Sequence, residues 1–432
     1  MGGYCIEVDI LIKKMFEYER WKELLEIASE KELDKDLIIK FMKPDERKKL
    51  AYIIASDSYT IAPPHIAFIP KDDGTMREVY VNEDLDRIVL TLINNVLCEI
   101  FKNKIHPKCV SYQKGLGTQM VVEQISREIT QMGIDNPHIE RCGYKSDFSK
   151  YFDNVSLKAI DRVFNECERG LGYEYNKHPV FNLLRRYYHQ DLYFNKDGKL
   201  GNRYQGLKQG CAVASFLANV VLYELDEFMS NKYRIYYRYS DDLVAIDKNT
   251  DDVIDDINRV ICKYGVTLNP KKVEPIYKDE WFKFLGFMIK GSQITLSKKR
   301  IKNFEKEIRK RSVDKRKCSE SKARYLIMKY LYEGERAWAM SCLSCINVES
   351  DIAEMNKFIM DCIKACKTGK KRIGGLGVTY NLPDKTIIRG KGKHVTSNKI
   401  NNGYIERYLS VQCLRKDLKY NRDLFDVVLK GL

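Results

Sequence analysis

The chain has 432 residues, of which 44% are hydrophobic and 31% charged, as is ordinary for a globular protein of two or three domains. No run approaches the roughly 18 consecutive apolar residues of a membrane span, so we expect no membrane partner. The net charge of +15 indicates a polyanionic partner, with nucleic acid as the first candidate. A basic protein without such a partner is the alternative.

Thirteen cysteines are scattered through the chain, mostly within apolar segments of regular period. Residues 1–20 contain no apolar signal segment followed by a small-residue cleavage site, so we expect free thiols in a reducing cytoplasm. Two pairs, Cys342 with Cys345 and Cys362 with Cys366, are spaced rather like zinc ligands. Both pairs lie in helical apolar patterns, which favour buried cysteines over a zinc site.

The first 62 residues are charged and carry apolar residues at helical spacing, which predicts an N-terminal extension of short helices. Residues 66–81 then form two β-rich runs around an Asp-Asp-Gly turn, a strong hairpin signal. Lys71 and Arg77 flank this turn, and two such cations can hold a triphosphate. An ordinary exposed hairpin with charged edges explains the pattern equally well.

An acidic residue ends the next predicted strand. Amphipathic helices are predicted over residues 85–101 and 120–132, followed by a strand-like segment from Gly143 to Asp147 and a helix from Leu157. A carboxylate at the end of a strand, just before a helix, is where α/β folds place chemistry. An Asp that caps the following helix is the structural alternative.

A stretch of small residues precedes a long predicted helix. After a helix over residues 178–188 and a hairpin over 192–200, Gln209 and Gly210 lead into small side chains up to Ser215. Small side chains let a flat ligand approach the backbone closely. They equally permit tight packing of a core helix, which we predict over residues 213–229.

Tyr239–Asp242 carries two adjacent carboxylates, Asp241 and Asp242, between two runs rich in β-formers. The pattern predicts a hairpin with both acids at its turn, although Arg238 interrupts the first run. Adjacent like charges repel each other, and a bound cation relieves the repulsion. Taken alone, the stretch is better explained as a solvated Asp turn.

The C-terminal part begins with a predicted helix over 251–264, a short strand from Gly265 that ends at the basic pair Lys271-Lys272, and an apolar hairpin over 281–296. From Ser297 onward, lysines and arginines crowd predicted helices, and such a basic face suits a phosphate backbone. Residues 367–404 are basic and Gly-rich, which predicts a loop or an arm that orders on nucleic acid.

Taken together and in order, these segments resemble the fingers and palm of reverse transcriptases, over roughly residues 66–296. Within that superfamily the sequence is most similar to the bacterial phage-defence enzymes, the abortive-infection and defence-associated group, with retron and group II intron enzymes as relatives. The resemblance implies an α+β fold of right-hand polymerase architecture, in which an antiparallel sheet with helices precedes a helical thumb. The implied regions are 1–62 (N-terminal helices), 63–296 (fingers and palm), 297–366 (basic thumb) and 367–432 (basic arm and C-terminal helices).

The two predicted strand ends carry the groups that nucleotide transfer needs. Attack of a 3′-hydroxyl on an α-phosphate is assisted by two Mg²⁺ ions about 4 Å apart, and Mg²⁺ uses few protein carboxylates. Asp147 and Asp241 would supply the metal ligands, while Asp242 would shape the field and bind weakly. We expect Mn²⁺ to be able to substitute for Mg²⁺.

The resemblance assigns further roles by position. The expected substrate contacts are Lys71 and Arg77 on the triphosphate, Phe152 as a gate against a ribose 2′-hydroxyl, Gln209 and Gly210 facing the nascent pair, and Tyr239. Lys272, or its neighbour Lys271, is expected to protonate pyrophosphate. The primer grip is expected at Phe284, Leu285 and Gly286.

Three positions depart from the family pattern. Lys208 stands where a proline is usual, Ala214-Ser215 replaces a Ser-Pro pair, and Tyr112-Gln113 replaces a Gly-Phe-Arg-type loop. These departures leave the metal ligands intact. They put a standard template grip in doubt and point away from typical intron enzymes.

The resemblance implies an RNA-directed DNA polymerase, a nucleotidyltransferase that copies a dedicated structured non-coding RNA in bacterial antiphage defence. Its partners would be the template RNA, the DNA product and deoxynucleoside triphosphates (dNTPs), with the oligomeric state left open. Template-independent or protein-primed synthesis at the same site is one alternative, and a retron-type or group II intron-type enzyme is another. A non-enzymatic RNA-binding scaffold is the third, against which the three intact aspartates count.

Overall fold

The structure, a computed structural model, describes residues 9–70, 75–113, 115–135, 141–315, 317–333, 337–369 and 374–376. The helices are α1 (Ile10–Met15), α2 (Tyr18–Lys31), α3 (Lys35–Met42), α4 (Pro44–Ala55), α5 (Asp84–Ile100), α6 (Thr118–Asp135), α7 (Tyr151–Asn154), α8 (Leu157–Gly170), α9 (Pro179–His189), α10 (Val213–Val220), α11 (Tyr223–Lys232), α12 (Val253–Ile261), α13 (Lys298–Arg311), α14 (Glu320–Tyr332), α15 (Trp338–Cys342) and α16 (Glu349–Thr368). The strands are β1 (His65–Pro70), β2 (Met76–Val81), β3 (Arg141–Asp147), β4 (Leu192–Phe194), β5 (Leu200–Asn202), β6 (Ile235–Tyr239), β7 (Asp242–Ile246), β8 (Glu274–Tyr277), β9 (Phe282–Phe284), β10 (Phe287–Lys290) and β11 (Gln293–Leu296).

The chain divides into two compact units. The first contains residues 1–114, 144–245 and 251–274, and the second contains residues 115–143, 246–250 and 275–432. No helix within the described ranges is both long enough and apolar enough to cross a membrane. The predicted arm and tail lie almost wholly outside the described residues.

The predicted N-terminal helices are confirmed as α1–α4 of the first unit. Asp9 accepts hydrogen bonds from the amides of Leu11 and Ile12 and so caps α1. Trp21 on α2 is 0% exposed and packs between the rings of Phe16 and Phe41. Trp21 and its neighbours belong to the same hydrophobic core as the buried residues of α5, α8 and α9.

Two sheets contain the predicted hairpins. In one, with strand order β2-β1-β4-β5, β1 and β2 pair antiparallel from His65 opposite Val81 to Pro70 opposite Met76. The other has the order β6-β7-β3-β8, so that β7 lies between β6 and β3. This order brings the end of β3 beside the turn between β6 and β7.

The helix predicted over residues 213–229 is interrupted. It ends at Val220, and α11 starts at Tyr223. Arg238 on β6 donates hydrogen bonds to the carbonyls of Ala218 and Asn219, which would otherwise continue the helical ladder. The sequence gives no local sign of this break because the group that causes it lies about twenty residues further along the chain.

The strand predicted from Gly265 is only an isolated bridge between Leu268 and Phe148. A 3-10 turn over Pro270–Lys272 follows, with Asn269 accepting a hydrogen bond from the amide of Lys271. The Asn-Pro pair explains the difference, since it favours a turn over a continued strand.

The second unit contains a small antiparallel sheet and the basic helices. Its strands have the order β11-β10-β9, with Phe287 of β10 opposite both Leu296 and Phe284. Helix α13 buries Ile301, Phe304 and Ile308 along one face. The spacing of these three residues matches a helix with one apolar stripe and a charged outer surface.

Candidate active site

The three predicted metal-ligand aspartates come together in the first unit. Asp147 is the last residue of β3, and Asp241 and Asp242 lie where the β6–β7 turn leads into β7. The amide of Phe148 donates to the carbonyl of Asp241 (3.2 Å), and the amide of Asn269 donates to the carbonyl of Asp147 (2.8 Å). Backbone hydrogen bonds therefore fix both strand ends that carry carboxylates.

The carboxylates of this cluster perturb one another. Burial and then the nearby Asp147 charge raise the pKa of Asp241 above its usual range. Burial, followed by the charges of Asp241 and Asp147, raises the pKa of Asp242 to about 6. Carboxylates that disfavour one another's charged form in this way provide a setting in which a divalent ion would be stabilising.

Lys272 provides the only positive group that bonds directly to an aspartate of the cluster among the hydrogen bonds found for the described residues. Its Nζ donates to Oδ2 of Asp147 at 2.7 Å. Partial burial alone would lower the pKa of Lys272, but the hydrogen bond and charge of Asp147, with Asp241 and Asp242, raise it. Lys272, rather than Lys271, is thus the lysine that the fold places at the carboxylates.

The aspartates could contribute ligands to a divalent metal ion that substrate also binds. Within the described ranges no three His, Cys, Asp or Glu side chains are grouped closely enough to form a protein cage for a metal ion. Mg²⁺ is usually held by one or two carboxylates together with substrate phosphates and water. Asp147 and Asp241, partly buried and mutually repelling, are carboxylates of that kind.

Lys145 is a residue of this site that sequence reasoning missed. It precedes Asp147 by two positions on β3, and its charge lowers the pKa of Asp242 against the stronger raising effects. Its Nζ also lies 3.4 Å from Oε1 of Glu274. Residues two apart on a strand share one face, so the spacing to Asp147 was the available signal.

The backbone at Phe152 is in close contact with the backbone at Gly206 and Leu207. Phe152 is half-buried on α7, five residues after Asp147, and its carbonyl accepts a hydrogen bond from the amide of Leu207 (2.7 Å). Gly206 has φ 53°, and a Cβ there would lie 2.1 Å from the carbonyl oxygen of Phe152. Only glycine allows this close approach, which fixes the backbone of the predicted gate.

Gln209 and Gly210 are tied to strand β2. The carbonyl of Gln209 accepts a hydrogen bond from the amide of Tyr80 at 2.7 Å. Gly210 has φ +111°, and a Cβ there would lie 2.6 Å from the carbonyl oxygen of Tyr80. The glycine is therefore required by the contact between two backbone segments, in addition to any contact with substrate.

The predicted triphosphate contacts are only half described. Arg77 is exposed on β2 opposite Ile69, whereas Lys71 lies outside the described residues.

The Tyr239 and Tyr112 rings are 6.2 Å apart, and the Tyr112 hydroxyl donates to Oγ of Ser240 at 3.4 Å. Tyr239 therefore precedes the carboxylate turn directly, and its ring lies near that of Tyr112.

The predicted primer grip lies in the second unit. Leu285 and Gly286 form the two-residue loop between β9 and β10, with φ of 48° and 83°. Positive φ at both positions is typical of a tight hairpin turn. Arg300 on α13 donates to the carbonyl of Leu285 (3.0 Å), and its guanidinium lies 4.1 Å from the centre of the Phe287 ring. Phe284 is 1% exposed and belongs to the core of this sheet.

The four cysteines considered as zinc ligands are free thiols. Cys342 contacts Arg300 through its sulfur, and burial raises the pKa of both Cys345 and Cys362 to about 12. The described part of the chain gathers no three Cys, His, Asp or Glu side chains into a metal-binding group, and these four cysteines are within it. Cys342, Cys345 and Cys362 are buried, and Cys366 is half-buried.

The sequence profile of the reverse transcriptase (RNA-dependent DNA polymerase) family matches residues 69–289, just over half of the chain. The matched segment contains Asp147, Asp241, Asp242 and Lys272, all of which lie together in the first unit. The chain therefore belongs to the reverse transcriptase family, a class of nucleotidyltransferases. Its fold class is α+β, of the right-hand polymerase type.

Curated relatives share this part of the chain at low identity. The COX1/OXI3 intron 1 protein of Saccharomyces cerevisiae is 24% identical over 188 residues, which is 44% of this chain and 21% of that protein. The protein YkfC of Escherichia coli is 21% identical over 187 residues, covering 42% of this chain and 44% of YkfC. The chain thus spans less than half the length of each of these relatives.

Two telomerase structures show a weak overall similarity to this chain. The telomerase of Candida albicans, in complex with a fragment of telomeric RNA, has a TM-score of 0.45 at 11% identity, covering 76% of this chain and 59% of that one. The apo telomerase of Candida tropicalis has a TM-score of 0.44 at 15% identity, covering 72% and 58%. Assignment to the family rests on the sequence match alone.

Proposed function

We propose that the protein is an RNA-directed DNA polymerase. The observation that carries this proposal is the cluster of Asp147, Asp241 and Asp242, within the segment that matches the reverse transcriptase family. Asp147 is buried and Asp241 and Asp242 are half-buried. The three carboxylates repel one another, and Lys272 bonds to Asp147. This arrangement suits phosphoryl transfer to a primer hydroxyl better than it suits a passive RNA-binding surface.

Two Mg²⁺ ions, when bound, would activate the primer 3′-hydroxyl and neutralise the charge that develops on the phosphates. Asp147 and Asp241 would hold them, with Asp242 adding negative potential. Lys272 keeps a proton at Nζ close to the site, because the surrounding carboxylates raise its pKa. A protonated lysine in this position can donate to the leaving pyrophosphate.

The gate at Phe152 supports deoxynucleotide substrates. Its side chain lies on a short helix directly after β3, and close contact with Gly206 fixes the backbone beneath it. A bulky ring held in place beside the sugar would exclude a 2′-hydroxyl by contact. The product is therefore DNA in this proposal.

A lysine stripe on α13 supports binding of nucleic acid. We define it as Lys298, Lys302, Lys306 and Lys310, spaced four residues apart on one exposed helix face. Neighbours at that spacing lie about 6 Å apart, close to the separation of successive phosphates. Together with the net charge of +15, the stripe fits the backbone of a template duplex and gives α13 the role of the thumb.

We further propose that the template is a dedicated structured RNA and that the enzyme works in the bacterial cytoplasm in defence against phage. Support comes from the order of the motifs, which resembles the defence-associated enzymes, and from the departures from intron enzymes at Lys208 and Tyr112. The cysteines of the described residues are free thiols, which suits a reducing compartment.

The proposal is tested by primer extension with dNTPs and Mg²⁺ on an RNA template. We expect D241A/D242A to abolish incorporation, because it removes two of the three carboxylates. D251A/D252A is the matched control, since it removes an adjacent and exposed aspartate pair before α12. Unchanged incorporation by D241A/D242A would refute the assignment of the site, and DNA attached to the protein would instead favour protein priming.

A further inference from the structure

Buried side chains that do not take part in the chemistry are hydrogen-bonded to the backbone of the turn that carries Asp241 and Asp242. Its central residue, Ser240, is 3% exposed and has a left-handed backbone with φ 58°. That conformation is unfavourable for a residue with a side chain and persists only where the surroundings enforce it. The surroundings of Ser240 are therefore informative.

Both backbone polar groups of Ser240 are bonded to buried side chains. Its amide donates to Oγ of Ser111 at 3.0 Å, and its carbonyl accepts from Nη1 of Arg238 at 3.1 Å. Ser111 and Arg238 are both 0% exposed. Because water cannot reach these groups, either bond, once lost, leaves a buried polar atom unpaired.

Arg238 is locked in place by its other contacts. Its Nε and Nη2 donate to the two carboxylate oxygens of Asp226 at 2.7 and 2.6 Å. The remaining donors reach the carbonyls of Ala218 (3.0 Å) and Asn219 (2.8 Å). A bidentate, fully buried guanidinium with all donors used has a fixed orientation, and so has the Ser240 carbonyl that it holds.

Ser111 is fixed by Asn219. Its hydroxyl donates to Oδ1 of Asn219 (2.6 Å), and Nδ2 of Asn219 donates back to the carbonyl of Ser111 (2.7 Å). With its hydrogen committed to Asn219, the Ser111 oxygen can only accept from Ser240. The two residues therefore form a rigid acceptor for the turn amide.

We propose that Ser111 is a positioning residue that, with Arg238 and Asn219, forms a turn clamp that sets the place of Asp241 and Asp242 for nucleotide transfer. This inference rests on the proposed function and deepens it. A displacement of about 1 Å in a catalytic group can slow a reaction about 10²-fold, so loss of the clamp is felt at the carboxylates. The purely structural alternative is that the clamp contributes only to folding stability.

The experiment compares the full chain with S111A, S111C and S126A. Ser126 is the matched control because it is 3% exposed and its hydroxyl donates to the carbonyl of Gly291 (2.7 Å), away from the turn. S111C keeps the packing but offers a weaker acceptor. For each protein we would measure thermal unfolding, kcat and KM for a dNTP, and Mn²⁺ affinity by electron paramagnetic resonance.

We expect S111A to lower kcat about 10²-fold with KM for the dNTP little changed, and to weaken Mn²⁺ binding. S111C is expected to show intermediate losses of kcat and of Mn²⁺ affinity, and S126A is expected to lose neither. S111A and S126A are expected to lower the melting temperature by similar amounts. If S111A does not fold, S111C against S126A decides the same question.

The proposed role of the clamp is wrong if folded S111A and S111C match S126A in both kcat and Mn²⁺ affinity. It is also wrong if their losses only follow the unfolded fraction. Should the unmodified chain incorporate no nucleotide, the proposed function fails, and Mn²⁺ affinity alone then decides: weaker binding by the Ser111 variants supports the clamp, and equal binding refutes it.

Discussion

At Asp147 the structure separates two neighbouring lysines that the sequence leaves equivalent. Lys272 donates to Asp147, while Lys271 contributes only a backbone amide to Asn269. We predict that K272Q slows nucleotide incorporation by roughly 10²-fold, the typical contribution of a positioned proton donor. K271Q is the control and is expected to keep nearly full activity in the same single-turnover assay; equal losses in the two variants would contradict the assignment.

The Phe152 ring is expected to discriminate between ribonucleotides and deoxynucleotides. Removal of the Phe152 ring takes away contact with the sugar but leaves the carboxylates in place. F152A is expected to improve kcat/KM for a ribonucleotide relative to its deoxynucleotide by roughly 10- to 100-fold, as for other contacts in a specificity pocket. F194A, which removes a half-buried ring on β4, serves as the control. Unaltered discrimination in F152A would mean that another side chain guards the sugar.

At the scale of elements, Gly210 joins the segment before α10 to β2. G210A requires a non-glycine residue at φ +111° and places a Cβ 2.6 Å from a backbone oxygen. G198A is matched for positive φ (+71°) but has open space around the new methyl. We expect G198A to lose about 1–2 kcal/mol of unfolding free energy from backbone strain, and G210A about 1–3 kcal/mol more from the clash. Equal losses of unfolding free energy in denaturant titrations would show that β2 moves to make room for the new methyl group.

Lys208 in the same segment predicts a dependence of stability on pH. It is 0% exposed, and burial lowers its pKa to about 8, against about 10.4 in an unfolded chain. Below pH 8 both states are protonated and the fold bears the full penalty of the buried charge, about 3 kcal/mol. Between the two pKa values the unfolded chain binds more protons, so stability from this residue rises with pH.

K208M lacks this titration. We therefore expect its stability relative to the unmodified chain to fall by about 2–3 kcal/mol between pH 7 and pH 10, measured by urea unfolding across the range. K199M, at an exposed lysine, is expected to show no such trend. Parallel pH profiles for K208M and the unmodified chain would mean that Lys208 keeps an ordinary pKa in the fold, as a hydrated ammonium group would.

At the scale of the whole molecule, positive charge is expected to govern binding to nucleic acid. Replacing two lysines of the stripe in K302Q/K306Q removes two phosphate contacts in the proposed complex. The plot of log affinity against log salt concentration should then become shallower by about 1.4–1.8, depending on the form of the nucleic acid. K22Q/K49Q, on the N-terminal helices, is the control with the same change in net charge, and an equal change of slope there would assign the effect to overall charge.

Much of the fold follows from local pattern, and the chemistry follows from spacing. The β1–β2 hairpin, the strand ending at Asp147 and the turn at Asp241 are predicted correctly because each is encoded by neighbouring residues. The break after Val220 and the role of Arg238 depend on partners distant in sequence, which periodicity does not report. A charged residue inside an apolar strand was the one available signal, since it demands a buried partner.

In the proposed function, Asp147 and Asp241 serve the copying of RNA into DNA. The most direct measurement is to supply the full chain with a primer on an RNA of defined sequence, Mg²⁺ and dNTPs, and to sequence the DNA formed. We expect DNA complementary to the RNA from the unmodified chain and none from D147N. DNA unrelated to the template, or equal amounts of complementary DNA from D147N, would contradict it.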